Sequence, residues 1–388
     1  MYLTCKVALQ PNKEQEAFFW ECANAARFVY NFSLNLKTEA YKTEGVSLDS
    51  NNITKYITQL KHTTEKYKWL ESIPSEIITV AVRDMDNAFK NFFKGAGYPK
   101  FKKKNRTEPA FYTKYSSLYS KDSKHIKICG LKQPVKTYEK CVIPNKPCNP
   151  RIKYDGKYWY LTYGVEVIPE NANRRIIWDK LQVYKELQSK ESTEPLGIDL
   201  GIKNTAVCSN GVTYENINKT PEIQRLEAKK KRLQQQLSRK YEMNKQGNKF
   251  IKTKNIIKLE KQIKLVQRRI NNIRNTYINQ MTSEIVKTKP SKIVIEDLAV
   301  SNMMKNKYLA KSIQEQNLYE IRRQLEYKGA LYNIPVQIAP RFYPSSKTCS
   351  DCGHVNKELT LADRVYICPE CGLEIDRDYN ASINLSRL

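Results

Sequence analysis

Four cysteines near the end of the sequence have the spacing of metal ligands. Cys349 and Cys352 form one pair and Cys368 and Cys371 a second, with two residues inside each pair and about fifteen between the pairs. Four thiolates spaced in this way hold one zinc ion in tetrahedral geometry, as in zinc ribbons. Two disulfides are the alternative, but a bond across a two-residue loop is strained, and we find no export signal to an oxidising compartment. The spacing therefore predicts a structural Zn²⁺ site.

Acidic residues occur at three further places where they could share a reaction centre. Asp199 lies in a short apolar run flanked by glycines, Glu296 ends a second apolar run at residues 292–298, and Asp378 follows the cysteines. Crowded carboxylates repel one another, whereas Mg²⁺ or Mn²⁺ keeps them ionised and takes oxygen ligands. Two such ions can activate a water and stabilise the leaving oxygen of a phosphodiester. If the three acids converge, the expected chemistry is metal-dependent hydrolysis of a nucleic acid.

Strands and one helix must bring these acids together. The two apolar runs are typical of buried strands, and their acids meet if the strands are neighbours, about 4.8 Å apart. Asp376 suits the N-cap of a following helix, because its side chain can accept hydrogen bonds from the first turn. Ala381 and Ser382 share a helix face with Asp378, and small residues there let the helix lie close to a sheet. Without those partners, Asp378 would be interpreted as a solvated carboxylate.

The charge of the chain indicates a polyanionic partner. Lys and Arg number 67 against 40 Asp and Glu, a formal net charge of +27, which exceeds what solubility requires. A membrane surface is disfavoured, because no apolar run is long enough to span a bilayer and neither end has a lipidation motif. The lack of an export signal predicts a cytoplasmic protein. The remaining cysteines have no ligand spacing and are interpreted as core or surface residues: Cys5, Cys22, Cys129, Cys141, Cys148 and Cys208.

The first half of the chain predicts helices followed by strands. Residues 1–9 suit an edge strand. Apolar residues then recur at helical spacing in three segments, residues 13–41, 52–70 and 75–93. Residues 126–168 are rich in strands and include a hairpin that turns at Asp155-Gly156. With the first strand, these strands are expected to close a small β-barrel.

Helices dominate the second half outside the two apolar runs. Residues 171–195 predict an amphipathic helix whose role the pattern leaves open. Residues 222–290 predict a helical pair broken near Gly247, with about nineteen basic and about five acidic side chains. The apolar spacing there indicates only a helical hairpin, but the added charge favours a surface that binds nucleic-acid phosphates. A third helix over 311–332 and a strand over 336–339 are expected to complete the sheet.

Together these motifs resemble the TnpB family of RNA-guided endonucleases encoded by transposons. The resemblance rests on Gly-Ile-Asp199-Leu-Gly, Val-Ile-Glu296-Asp-Leu, the two cysteine pairs and Asp-Arg-Asp378-x-Asn-Ala in this order, and it covers nearly the whole chain. It implies a split RuvC nuclease in which Asp199, Glu296 and Asp378 bind the catalytic Mg²⁺ or Mn²⁺.

The resemblance also implies an α+β multidomain fold. Its parts are a helical recognition lobe, a small β-barrel called the wedge domain, and an RNase H-like (RuvC) α/β nuclease domain. A zinc ribbon that binds target nucleic acid is inserted into the nuclease domain. The implied boundaries are wedge 1–10 and 95–170, recognition domain 11–94, linker helix 171–195, nuclease domain 196–344 and 376–388 with the basic hairpin at 222–290, and ribbon 345–375.

The partners implied by the family are a guide RNA from the protein's own locus and double-stranded target DNA, with no membrane and a single protein chain. In the family, residues of the recognition lobe and the loop after it contact a short DNA motif that flanks the target. The side chains at the matching positions differ from those of other members, so the motif must differ too. These positions are Asn51, Lys55, Ser75, Glu76, Thr79, Ser116 and Ser117.

Three other functions compete with this interpretation. A guided DNA-binding repressor with a dead nuclease would have lost acids or cysteines, and all are present here. A DNA-strand transposase or integrase shares the RNase H-like sheet, but the ribbon inserted just before Asp378 argues against it. A miniature type V CRISPR effector stays open, because it differs mainly in the source of its guide. We expect an RNA-guided DNA endonuclease in which base pairing, not a base-reading helix, selects the target.

Overall fold

The computed structural model describes residues 2–104, 107–141, 143–144, 146–166, 194–360 and 363–388. These residues belong to two compact units, Met1–Ile176 and Ile177–Leu388. Each unit has hydrophobic cores of its own. The amphipathic helix expected over 171–195 falls almost entirely outside the described residues. None of the described helices is long and apolar enough to cross a membrane.

The described part of the first unit begins with a strand and then has three α-helices and two 3-10 turns. Their bounds are α1 Lys13–Glu44, α2 Ser50–Thr63, a 3-10 turn Glu65–Ser72, α3 Ser75–Phe93 and a 3-10 turn Tyr115–Ser117. Asn12 caps α1 in a capping box with Gln15, and Asp49 caps α2. The third predicted helix is confirmed at both ends. The second was predicted too long, because Thr64 is extended and ends α2.

Seven strands form the sheet of the first unit. Their bounds are β1 Tyr2–Gln10, β2 Ala110–Tyr112, β3 Tyr119–Asp122, β4 His125–Lys127, β5 Val135–Thr137, β6 Cys148–Tyr154 and β7 Trp159–Glu166. The β6–β7 hairpin turns at Asp155-Gly156 as predicted, and the Asp155 side chain accepts from the backbone N–H of Lys157 and Tyr158, at 3.0 Å each. Phe19 of α1 lies on this sheet, with its ring 5.2 Å from that of Trp159.

Two expectations about this sheet are wrong. The strand order is β2-β6-β7-β1-β5-β4-β3, so β1 lies between β7 and β5 and is not an edge strand. Alternation of apolar residues indicates which face of a strand is buried, but it does not report how many neighbours the strand has. Within the described residues, the end strands β2 and β3 do not pair with each other. The sheet is therefore open, not the closed barrel that the sequence suggested.

The second unit holds a mixed sheet with the strand order β10-β9-β8-β13-β14. The strands described in this unit are β8 Leu196–Leu200, β9 Asn204–Cys208, β10 Thr213–Glu215, β11 Lys245–Gln246, β12 Lys249–Phe250, β13 Ile293–Ile295, β14 Val336–Ile338, β15 Val365–Ile367 and β16 Glu374–Asp376. The pairs β8–β13 and β13–β14 are parallel, whereas β8, β9 and β10 pair antiparallel. All three residues of β13 are buried, as expected for a central strand.

Helices pack around this sheet or extend from it. Their bounds are a 3-10 turn Ile217–Lys219, α4 Pro221–Met243, α5 Lys254–Lys287, α6 Val300–Met303, α7 Ala310–Gln316, α8 Leu318–Leu331 and α9 Arg377–Ser386. The basic hairpin is confirmed as α4 and α5, joined at the short β11–β12 ribbon around Gly247. The single helix predicted over 311–332 is wrong, because Asn317 adopts a left-handed conformation (φ 54°) and separates α7 from α8.

A buried lysine ties α8 to α5. Lys328 is 6% exposed, and its Nζ donates to the Asn279 carbonyl at 2.8 Å, the Thr282 hydroxyl at 2.6 Å and the Ser283 hydroxyl at 2.8 Å. The same Thr282 hydroxyl donates to Gln324 Oε1 at 2.9 Å. A buried polar network is favourable only when its groups are satisfied, so these bonds fix the register of the two helices behind the sheet.

Candidate active site and metal centre

The pairing of β8 with β13 brings Asp199 and Glu296 to the same edge of the sheet. In this parallel pair Ile198 lies opposite Ile295, so the next residue on each strand is an acid. The side chains of Ile198 and Ile295 are fully buried, whereas both acids are half-buried. Because neighbouring strands lie about 4.8 Å apart, the two carboxylates leave the apolar core side by side.

Gly197 allows helix α9 to cross β8 closely enough to bring in the third acid. A Cβ on Gly197 would overlap the carbonyl oxygen of Ser382 and the backbone nitrogen of Ser386, and it would lie 2.9 Å from Leu385 Cβ. Contacts this short with backbone atoms leave room for no side chain at position 197. The second half of α9 is therefore held against β8, the strand that carries Asp199, and Asp378 lies in the first turn of the same helix.

The two aspartates at the start of α9, Asp376 and Asp378, have different hydrogen-bond partners. Asp376 Oδ1 accepts from the backbone N–H of Asp378 at 3.0 Å and of Tyr379 at 3.1 Å, which confirms its prediction as the N-cap. The Asp378 side chain is left for another partner, and Arg377 Nη2 lies 3.0 Å from its Oδ1. Asp378 is thus the carboxylate of this turn that faces the other acids.

Two of the three acids, which we call the acid cluster (Asp199, Glu296 and Asp378), have raised pKa values. Burial raises the pKa of Asp199 well above its usual value, Glu296 and Asp378 raise it further, and the charge of Arg377 opposes them. Burial also raises the pKa of Glu296, against a hydrogen bond of 2.5 Å from the Ser345 hydroxyl, and Asp378 raises it again. The three acids therefore interact through their charges although they are far apart in the sequence, and their role as metal ligands stays a prediction.

Asp297, next to Glu296, has a different environment. Arg341 donates to Asp297 Oδ2 through Nε at 2.9 Å and through Nη2 at 2.7 Å. Arg322 Nη1 lies 3.6 Å from the other oxygen of the same carboxylate. The sequence pattern Glu296-Asp297 does not distinguish a catalytic acid from one that stabilises the fold. These ion pairs show that Asp297 stabilises the loop after β14 through Arg341.

The sequence interpretation missed the polar residues that hold the acid cluster. Ser345 orients Glu296, Arg377 balances Asp378, and Arg341 fixes Asp297. Arg377 was visible inside the Asp-Arg-Asp motif, between two acids that a cation would stabilise. For Ser345 and Arg341 no local signal exists, because their partners lie more than forty positions away.

The four cysteine sulfurs lie close enough together to bind one metal ion in tetrahedral geometry. All four lie within 4.8 Å of one another. The sulfurs of Cys349 and Cys371 are 3.6 Å apart, and those of Cys352 and Cys368 are 3.5 Å apart. These distances are too long for a disulfide bond of about 2.05 Å and suit thiolates at about 2.3 Å from a shared zinc ion. The donor set therefore fits a metal, as the spacing predicted.

Each cysteine pair has the same backbone turn. Gly353 and Gly372, which follow the second cysteine of each pair, have φ of 79° and 75°, a conformation that favours glycine. Their N–H groups donate back to the carbonyls of Cys349 and Cys368, at 3.1 Å and 3.0 Å. The backbone N–H of Cys371, partly opposed by burial, lowers the pKa of the Cys368 thiol to about 6, which favours the thiolate.

Two buried asparagines of α9 connect the first cysteine turn to the helix of the acid cluster. Asn380 accepts from the Ser350 N–H at 2.9 Å and donates to the Thr348 carbonyl at 2.7 Å. One turn later, Asn384 donates to the carbonyls of Ser345 at 2.8 Å and Thr348 at 2.6 Å. The segment 345–350 therefore contacts Glu296, the helix that carries Asp378, and the cysteine site.

The carboxylate oxygens of the acid cluster are less tightly gathered than the sulfurs. They do not all lie within 4.8 Å of one another, and among the described residues the cysteines are the group that meets this limit. The acid cluster is an open group of carboxylates and not a closed cage.

The seven expected DNA-contacting residues all lie in the first unit. Glu76 Oε1 forms an ion pair of 2.8 Å with Lys114 Nζ, which brings the start of α3 next to the turn that holds Ser116 and Ser117. Ser75 and Thr79 lie one helical turn apart on α3, joined by a hydrogen bond of 3.1 Å. Asn51 and Lys55 are exposed on α2, on the side opposite the buried Ile53 and Ile57. Helix α2 packs on α3, but among the described residues no hydrogen bond or ion pair joins Asn51 or Lys55 to the start of α3.

Comparisons with known proteins match most of the chain. A family model described as "Probable transposase" (OrfB_IS605) matches residues 178–307, the associated "Helix-turn-helix domain" matches 1–45, and "Cas12f1-like, TNB domain" matches 319–385. Together the three ranges cover more than half of the sequence. The third includes the cysteines and most of α9.

Several known proteins are similar to this chain in sequence or in structure. "Putative RNA-guided DNA endonuclease InsQ" of Escherichia coli K12 is 28% identical over 98% of this chain and 90% of its own length. Among solved structures, the mini-RNA-guided endonuclease CRISPR-Cas phi3 aligns with 100% of this chain and 92% of its own at 10% identity and a TM-score of 0.47. "TnpB-like protein L79" of Acanthamoeba polyphaga mimivirus is 29% identical over 36% of this chain and 29% of its own length. The matched models and these relatives make the chain similar to TnpB-like proteins and to proteins named as RNA-guided DNA endonucleases.

Proposed function

We propose that this protein is an RNA-guided DNA endonuclease encoded by a transposable element. A guide RNA from its own locus pairs with one strand of double-stranded DNA, and the acid cluster then hydrolyses phosphodiester bonds in a RuvC-type reaction. The observation that carries the proposal is the convergence of Asp199, Glu296 and Asp378, each of which is separated from the others by more than eighty residues. The name and full-length similarity of InsQ support the same activity.

Divalent cations fit the acid cluster because their positive charge would stabilise the ionised carboxylates. Burial and the negative charge of Asp378 raise the pKa of Asp199 and of Glu296, so both are costly to ionise, and a divalent cation removes that cost. Bound Mg²⁺ or Mn²⁺ would supply an activated water and stabilise the leaving oxygen. The chain's own residues orient the donors: the Ser345 hydroxyl fixes Glu296, and Arg377 balances the charge of Asp378.

The basic hairpin α4–α5 suits the phosphates of the guide or the target. Its apolar residues face each other in a small core of Ile223, Val266 and Ile270, which directs the basic side chains outward. Glu222 and Glu227 form ion pairs with arginines of α5. The excess positive charge is therefore available to a polyanion, and each neutralised phosphate releases counterions.

The start of α3 and the adjacent 3-10 turn are proposed to contact the DNA that flanks the target. Ser75, Thr79, Ser116 and Ser117 present hydroxyl groups, and Glu76 presents an acceptor, held by Lys114. Hydroxyl and carboxylate groups can read base edges in a groove. Asn51 and Lys55 on α2 would add an amide and a charge, respectively.

The test compares two aspartates that lie two residues apart. The protein is purified with its bound RNA, and a DNA library with randomised flanks is offered with Mg²⁺. Asp378→Asn, like Asp199→Ala, is expected to abolish cutting while guided DNA binding stays near normal, because a metal ligand is lost but no phosphate contact. Asp376→Asn is the matched control, since asparagine caps a helix as well as aspartate does, and it should still cut.

The outcomes separate the competing functions. Cutting by Asp378→Asn at the wild-type rate would show that the acid cluster is not the reaction centre. RNA-dependent binding by the wild-type protein without any cutting would instead indicate a guided repressor. DNA cutting or joining that persists after the RNA is digested would indicate a transposase that needs no guide.

A further inference from the structure

Phe342 exposes an aromatic ring that contributes almost nothing to the fold. It is 92% exposed, the most of any phenylalanine among the described residues. A single exposed apolar residue is common on protein surfaces and by itself indicates no function. The position of Phe342 differs from that ordinary case, because the loop on both sides of it is held by specific bonds.

The loop around Phe342 is fixed at several points. On one side Arg341 makes two hydrogen bonds to Asp297, at 2.9 and 2.7 Å. On the other side the Tyr343 N–H donates to the Pro340 carbonyl at 2.9 Å, and its hydroxyl donates to the Asn384 carbonyl at 3.2 Å. The ring of Tyr343 packs against Leu385 and Val294, so position 342 is held while its side chain points to solvent.

The loop around Phe342 is connected to the acid cluster on both sides. Asp297 directly follows Glu296, and Ser345, three residues after Phe342, donates to Glu296 itself. Three residues span at most about 10 Å of chain, which matches about three stacked nucleotides at roughly 3.4 Å each. The backbone of Phe342 therefore lies within about three nucleotide steps of Ser345, the residue that donates to Glu296.

We propose that Phe342 stacks on a base of the DNA strand being cut and so positions the scissile phosphodiester over the acid cluster. This inference rests on the proposed function. Every base has a flat face, so stacking on an aromatic ring holds a strand without selecting its sequence, which suits an enzyme whose guide does the selecting. Phenylalanine offers no polar atom to read a base edge, so the ring acts as a positioning surface.

The test is a double-mutant cycle in which the Phe342 ring and single DNA bases are removed separately and together. The cutting rate is measured for wild-type, Phe342→Ala, Phe342→Leu and Phe342→Tyr protein on DNA with an abasic nucleotide placed in turn at each position near the cut. Phe342→Ala is expected to slow the cut by roughly 5- to 150-fold, equal to about 1–3 kcal/mol per stacked base. Phe342→Tyr should cut near the wild-type rate, whereas Phe342→Leu, which keeps apolar volume without a ring, should resemble Phe342→Ala.

The abasic substrates distinguish stacking from a structural role. At one position the missing base should slow the wild-type protein by the same factor and slow Phe342→Ala no further, because the two changes remove one contact. Additive losses at every position, or a Phe342→Leu protein that cuts like wild type, would overturn the inference. Guided binding and zinc content are measured on the same preparations and should not change.

A cross-linking experiment keeps the inference separate from the proposed function. Phe342→p-benzoylphenylalanine in the Asp199→Ala background is irradiated in complex with guide RNA and target DNA. Cross-links to one or two adjacent DNA nucleotides near the cut support stacking, and cross-links to RNA alone or to neither strand contradict it. If the wild-type protein cuts no DNA, the proposed nuclease is wrong, and this experiment alone decides whether Phe342 contacts a base.

Discussion

Gly197→Ala should inactivate the enzyme by moving a helix and not by changing a reacting group. The new Cβ would overlap backbone atoms of Ser382 and Ser386 and stand 2.9 Å from Leu385 Cβ. Carbon atoms in contact prefer about 3.5–4.0 Å, so the contact with Leu385 alone requires a shift of at least about 0.6 Å. The overlap with backbone groups requires more, and we expect α9 to move by about 1 Å.

The expected cost has two parts that separate experiments can measure. Overpacking of a close contact costs roughly 1–3 kcal/mol of unfolding free energy, and rigid backbone on both sides places Gly197→Ala at the upper end. A displacement of about 1 Å in a catalytic group can cost about 100-fold in rate. Asp378 lies in the first turn of the displaced helix, so cutting should fall about 100-fold while guided DNA binding changes little.

The assay pairs urea denaturation with single-turnover cleavage of bound target DNA. Gly97→Ala is the control, because a Cβ at that position meets no atom within 4 Å, and this variant should keep wild-type stability and rate. If Gly197→Ala has wild-type stability and cuts at the wild-type rate, the close packing of α9 on β8 is not what positions the acid cluster. A variant that is destabilised but cuts normally would contradict the link between helix position and rate.

Three further predictions concern the metal sites. Cys349→Ser should lose zinc, measured by elemental analysis, and lower the melting temperature together with the cutting rate, because zinc-ligand energy is folding energy. Ser345→Ala should raise the pKa of Glu296, since a hydrogen bond that lowers it is lost, and shift the rising limb of the pH–rate profile to higher pH; an unchanged profile would argue against this bond. Without added divalent cations, the raised pKa of Asp199 means that the folded protein binds more protons than the unfolded chain, so stability falls as pH rises above the ordinary aspartate range. Asp199→Asn should therefore be more stable than wild type at neutral pH but not at acid pH, and Mg²⁺ should stabilise only the wild type.

Sequence patterns were sufficient where one residue type has one physical reason to be at its position. Thiol spacing predicted the cysteine cluster, backbone donors at a helix start predicted the Asp376 cap, and the small residues of α9 predicted its close approach to the sheet, where Ser382 lies against Gly197. Patterns were insufficient where neighbours decide the outcome. The place of β1 within its sheet depends on pairing with β5 and β7, which its alternation does not report. The break at Asn317 was hidden because apolar residues keep helical spacing on both sides of it.

The position of the cysteine pairs in the chain, just before Asp378, has a structural consequence. Asn380 and Asn384 of α9 bond to backbone groups of the segment 345–350, which begins at Ser345 beside Glu296 and contains Cys349. A buried amide left unpaired costs about 1–3 kcal/mol, so this segment cannot rearrange without releasing the helix. Zinc at the cysteine turns would therefore hold Asp378 in place although it takes no part in the reaction. On this reasoning, loss of zinc and loss of cutting should follow the same titration curve, whereas Asp378→Asn should abolish cutting and leave zinc bound.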